Sequence, residues 1–270
     1  MGLVSNHNFD FSKIEDIFFK RPVSHLAKPK IGLLLGRHAS LTDCNAAFEV
    51  LMAMGYSPLI VADSSHKLTG IPAEIFLVST NKMHYSNSDE AISALEGCSM
   101  IIALCGREIN SALDLLLSKL AVEYRGFLVA DSTTLDKHSW KAQPVMYFSA
   151  IKSILSQLKK RIEQSSGLNL KADYIREFSS QTGSIIMSVD ESQALVADSS
   201  ISADVMVINA GHKINKTAFA VLVATLFAES FGSYKLGFIN YVMAGAYLYT
   251  EAYEKEDRAS GLKKFLEKQF

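Results

Sequence analysis

The sequence predicts an α/β protein: a large, mostly parallel central sheet with helices on both faces, three layers in all. Three observations carry that prediction. Apolar runs at 31–35, 100–104 and 127–130 are continuous and only four or five residues long, which suits strands buried on both faces. Segments of helical period alternate with these runs, as the crossovers of a parallel sheet require. The segment from Lys216 to Ser230 has no charge between Lys216 and Glu229, so it describes a helix buried on nearly every side.

The elements follow in order. Residues 1–29 show only a short amphipathic piece around 14–19 and read as an N-terminal extension packed on the domain. A strand at 31–35 leads to Thr42 or Asp43, either of which suits the N-cap of a helix reaching about residue 54. Strands are expected at 57–61 and 75–79, a helix at 90–95, a strand at 100–104, a helix at 110–124 and a strand at 127–130 ending on Asp131. A strand at 145–148 precedes helical segments at 150–164 and 170–180. Strands at 184–188 and 194–197 flank an Asp190-Glu191 turn, and a strand at 205–208 closes a set of about eight or more. Helices then cover 216–230 and 234–255, with a charged helix ending at Phe270. The strand–turn–strand unit at 184–197 breaks the strict repeat of an eight-fold barrel, which favours an open sheet. No internal repeat, low-complexity tract or linker divides the chain. The Ser/Lys-rich stretch 156–166 reads as a solvated helix face, so residues 1–270 are expected to form a single domain.

Composition excludes several function classes. Hydrophobic residues make up 49% and charged residues 20%, enough apolar material for one large core. A net charge of −1 offers no electrostatic footprint for nucleic acid or an anionic membrane. The longest apolar run, 218–228, is far short of the ~20 residues that cross a bilayer. No basic segment leads into an apolar stretch at the N-terminus, and Asn6 stands where a myristoylation start needs Ser or Thr. The expected location is therefore the cytoplasm. Cys44, Cys98 and Cys105 are too few and too scattered for a disulfide framework or a zinc cluster, so they read as reduced thiols, and no metal site is predicted. No Ser-His-Asp order, paired-carboxylate spacing, H-E-x-x-H or P-loop is present.

The chemistry concentrates where the strand at 205–208 opens into Asn209-Ala-Gly-His-Lys-Ile-Asn-Lys-Thr217 and the buried helix begins. A helix N-terminus at a strand end presents unpaired backbone N–H groups, the usual seat of a phosphate in an α/β protein. The loop nevertheless lacks the glycines and the acid that such a seat normally contains.

Arg21-Pro-Val-Ser-His25 leading into Lys30-Ile-Gly-Leu-Leu-Leu-Gly36 resembles the start of the NAD(P)H-hydrate dehydratase family, which has the ribokinase-like fold. The segment 94–107 resembles that family's strand and Gly-Pro-Gly-Leu-Gly turn, and 127–135 resembles its strand ending in Asp-Ala-Asp-Ala-Leu. The segment 205–251 resembles its last strand, anion-hole loop, apolar helix and closing helix. The resemblance runs through most of the chain and implies the ribokinase-like fold, ADP or ATP with magnesium as cofactor, and dehydration of a hydrated nicotinamide ring. It also implies a homo-oligomer.

The family's Gly-Gly-Thr-Gly-Asp loop falls on Lys213-Ile-Asn-Lys-Thr217, where all three glycines are gone and the general base becomes Thr217. A neutral hydroxyl is no base near pH 7, and no Asp lies nearby in sequence. The Lys-Gly pair falls on Ser188-Val189, the second acid of the Asp-x-Asp segment is Thr133, and only Gly106 survives from the glycine turn. The losses sit on strand-end loops, where such folds bind ligands. A kept scaffold with erased loops reads as a pseudoenzyme that has lost the dehydratase reaction and binds a small molecule, nucleotide or partner. The alternative is an active nucleotide-dependent enzyme, a dehydratase or small-metabolite kinase with unusual loops. A third possibility is a subunit that stabilises an active paralogue.

The candidate residues follow from that register. Asp131 and Thr217 take the catalytic positions, with Asp131 alternatively the N-cap of a following short helix. Gly211, His212, Lys213, Asn215 and Lys216 crowd the helix N-terminus and suit an anion or nucleotide, or are simply solvated. Gly36, Arg37, His38 and Gly106 stand where the family's turns face substrate, with a plain surface turn as the alternative.

Overall fold

A computed structural model describes residues 29–63, 75–78, 88–106, 111–131, 145–150, 173, 175–177, 179–180, 183–189, 193–198, 205–209 and 215–230. The expected N-terminal extension, the helices at 150–164 and 234–255 and the terminal helix lie outside these residues, as does most of the one at 170–180.

Nine strands form one sheet: β1 (Ile31–His38), β2 (Leu59–Asp63), β3 (Ile75–Val78), β4 (Met100–Gly106), β5 (Phe127–Asp131), β6 (Val145–Ala150), β7 (Ile185–Val189), β8 (Gln193–Asp198) and β9 (Val205–Asn209). Their spatial order is β3-β2-β1-β4-β5-β6-β7-β8-β9. Every pair from β3 to β7 is parallel, while β8 runs antiparallel to both β7 and β9. The expected strand–turn–strand unit is thus an antiparallel addition to a parallel sheet. Four described helices cover the faces: α1 (Leu41–Ala53), α2 (Ser88–Glu96), α3 (Ser111–Glu123) and α4 (Lys216–Ser230). Among the described residues no helix is long and apolar enough to cross a membrane.

Period-two alternation sorts the strand residues into two cores. Ile31, Leu33 and Leu35 of β1, with Met100, Ile102 and Leu104 of β4, face α1 and α4. Leu34 of β1, with Ile101, Ala103 and Cys105 of β4, faces α2 and α3. A sheet covered on both sides needs apolar residues at every position, which is why these strands read as unbroken apolar runs.

In α4 the charge-free sequence has its expected result. Every residue from Thr217 to Leu226 is buried. The helix packs on α1 and lies over β5, β6 and β7, with the Phe227 ring edge-on to Phe127 at a centroid distance of 4.9 Å. Its buried Thr225 hydroxyl donates to the Val221 carbonyl at 2.7 Å, so no polar atom there is stranded. One sequence expectation needs correcting. The N-cap of α1 is Ser40, without a side-chain capping bond, and Asp43 lies inside the first helical turn. There a carboxylate still favours the positive end of the helix.

The central pair β1 and β4 comes close at its carboxyl ends. Their register slips between Leu35 and His38, and His38 pairs with Gly106. Gly106 has φ +77°, and a Cβ on it would lie 2.1 Å from the His38 carbonyl oxygen. A Cβ on Gly36 would lie 2.7 Å from the Cys105 carbonyl oxygen. Both glycines are therefore required by backbone packing, whatever else they do. Gly106→Ala is expected to cost about 3 kcal/mol, read as a lower urea midpoint with an unchanged m-value.

Candidate functional site

The carboxyl ends of β1, β4 and β5 and the first turns of α1 and α4 supply the polar side chains. Alternation along β5 carries Asp131 toward the α1 and α4 side, beyond Phe127 and Val129. Its Oδ2 accepts the backbone N–H of Cys105 at 2.8 Å and of Gly106 at 2.7 Å. Asp131 therefore ties the end of β5 to the glycine turn of β4. This contact is distinct from the alternative expected of it, the N-cap of a following helix.

At the start of α4, Asn215 is the capping residue. Its Oδ1 accepts the N–H groups of Thr217 at 3.1 Å and Ala218 at 3.0 Å. Two of the four orphan amides of the helix are thereby satisfied from within the chain. Thr217 has no exposed surface, and its hydroxyl donates to Asp43 Oδ1 at 2.7 Å. The Lys216 ammonium stands 3.5 Å from Asp43 Oδ2, with side-chain exposures of 40% for Lys216 and 24% for Asp43. The carboxylate is thus anchored by Thr217 while part of it still reaches solvent.

Asp43 is the residue that sequence reasoning missed as part of this site. It lies 174 positions from Thr217, and by sequence alone it offers only a possible helix cap. The available signal was its place in the first turn after β1, at the same end of the sheet as the α4 N-terminus. Burial, then the carboxylates of Asp43 and Asp131, push the Cys44 thiol up to about 12. Both acids therefore act on one side chain, Cys44.

The remaining candidates divide. Arg37 and His38 are exposed at the end of β1, and the Ala39 N–H donates to the Gly36 carbonyl at 3.0 Å to close the turn. Gly36 and Gly106 lie in the close β1–β4 approach described above. Gly211, His212 and Lys213 lie outside the described residues. Ser188, at the position of the family's Lys, is buried in β7 and has no hydroxyl partner among the described residues. Among those residues no cluster of three metal-ligating side chains occurs.

A phosphate seated on the first turn of α4 would meet a carboxylate and two amides already occupied. Repulsion from the Asp43 carboxylate, offset in part by the Lys216 ammonium, and the two occupied amides count against a nucleotide phosphate among the described residues of this helix end.

No family model and no curated protein matches the chain. Solved structures do. A ribokinase-like superfamily protein from Enterococcus faecalis superposes with a TM-score of 0.68 at 12% identity, covering 96% of this chain and 93% of that one. A protein from Streptococcus mutans gives 0.63 at 13%, covering 96% of each chain. An ADP/ATP-dependent NAD(P)H-hydrate dehydratase from Bacillus subtilis, co-crystallised with ATP and magnesium, gives 0.60 at 13%, again covering 96% of each chain. At these identities the likeness establishes the fold.

Two outcomes follow from the site's geometry. Asn215→Ala should lower stability by about 1 kcal/mol in chemical denaturation, through loss of the cap. The raised Cys44 value keeps the native thiol protonated where the unfolded thiol ionises, so its stabilising contribution is complete below pH 9.0 and lost as pH rises toward about 12. Cys44→Ala should therefore flatten the fall in stability between those two pH values, measured as urea midpoints across the range.

Proposed function

We propose that this chain, which has the ribokinase-like fold, has lost the hydrate dehydratase reaction and acts by binding a small molecule or a partner. The observation that carries this reading is residue 217. At the position of the family's general base stands a threonine with no exposed surface, its hydroxyl committed to Asp43. Proton abstraction needs an acceptor within reach of the substrate hydroxyl, and this side chain is neither basic nor reachable. The first-turn amides that would steady phosphate are taken by Asn215.

A second reading, an active nucleotide-dependent dehydratase or small-metabolite kinase with unusual loops, is favoured by one observation. Asp131 is a carboxylate fixed at a strand end by two backbone amides.

The test combines turnover with binding. Purified protein given hydrated NADH or NADPH, with ADP or ATP and magnesium, is expected to restore no reduced cofactor above the uncatalysed rate. A thermal-shift panel of NADH, NADPH, AMP, ADP and ATP then seeks the ligand; one present at 100 times its Kd adds ~2.7 kcal/mol of stability. Restoration of NADH would overturn the proposal and establish the second reading. A panel without any shift would leave the partner-binding form of the proposal, to be pursued by pull-down with the folded chain.

A further inference from the structure

Asp43 explains more than the loss of a base. A helix N-terminus that holds phosphate offers three things: free amides, a nearby cation and a hydroxyl or amide donor at the mouth. At α4 the described residues engage two of these amides, a cation and a hydroxyl within the chain itself. Asn215 Oδ1 takes the amides of Thr217 and Ala218. Asp43 takes the Thr217 hydroxyl through Oδ1 and holds the Lys216 ammonium at 3.5 Å from Oδ2. Among the described residues, the cation at this end, Lys216, is thus beside a carboxylate, and the carboxylate itself repels an anion.

We propose that Asp43 is an internal substitute for the phosphate. It satisfies the positive end of α4 from the neighbouring helix α1 and so closes that end to nucleotide phosphates. The inference rests on the proposed loss of the dehydratase reaction and adds the residue that enforces it.

The test is a gain of binding. Inorganic pyrophosphate and magnesium-ADP are titrated by calorimetry into the wild type, Asp43→Asn, Asp43→Ser and the double variant Asp43→Asn/Asn215→Gly, with melting curves to confirm that each is folded. The Asn variant keeps the shape and removes the charge, and the Ser variant guards against a failure specific to Asn. The wild type is expected to bind neither probe at millimolar concentration. At least one single variant should bind pyrophosphate no less than tenfold more tightly than the wild type, and the double variant more tightly still. Wild-type binding of either probe as tight as that of the folded variants would overturn the proposal, and so would folded variants that gain nothing. Failure of the gain, with hydrated NADH still untouched by the wild type, would sink this inference and leave the proposed loss of reaction standing. Turnover of hydrated NADH would sink that loss instead.

Discussion

The enclosure of α4 is the constraint on which the rest depends. A helix whose residues are buried from Thr217 to Leu226 cannot shift along its axis or rotate without exposing apolar surface. Each fully buried Leu, Val or Phe contributes roughly 1.5–3 kcal/mol relative to exposure, so its position over β5, β6 and β7 is fixed by many such terms together. Packing against α1 then places the first turn of one helix beside the first turn of the other. The polar contact between Asp43 and Thr217 follows from that apolar packing.

Two positive helix ends meeting in one place create an electrostatic problem that the chain resolves locally. The N-termini of α1 and α4 both carry partial positive charge. Asp43 lies in the first turn of α1 and accepts from the first turn of α4, so a single carboxylate serves both. Asp131, in turn, is held by the amides of Cys105 and Gly106. Cys44 lies under the influence of both acids and stays a neutral, buried thiol, which suits packing better than nucleophilic chemistry.

The scaffold was legible because its signals are local. Unbroken apolar runs marked the strands, and the charge-free stretch marked α4 over the same bounds that the structure has, Lys216–Ser230. The strand–turn–strand unit at 184–197 announced the switch to antiparallel pairing at β8. Ends were less legible: β1 continues to His38 because its last residues pair with the glycine turn of β4, a contact that no local pattern records. For the site, the resemblance singled out Asp131 and Thr217, and the missing glycines could be read directly. Asp43 could not, because its role depends on two helices meeting in space though the paired residues lie 174 positions apart. A helix-cap rule found the residue and gave it the wrong task, since Ser40 precedes the helix and Asp43 lies within it.

The same separation in sequence has a consequence for how the molecule assembles. Contacts between distant positions carry the closure entropy of the long intervening segment, so the docking of α4 on α1 is expected to follow the more local pairings. Until then the most apolar helix of the described chain has no surface to cover it. An early intermediate with β1, α1 and β4 in place would carry an open apolar face where α4 belongs, and such faces associate readily between molecules. A feature that fixes the native position of α4 is therefore also one that leaves apolar surface open while the chain folds.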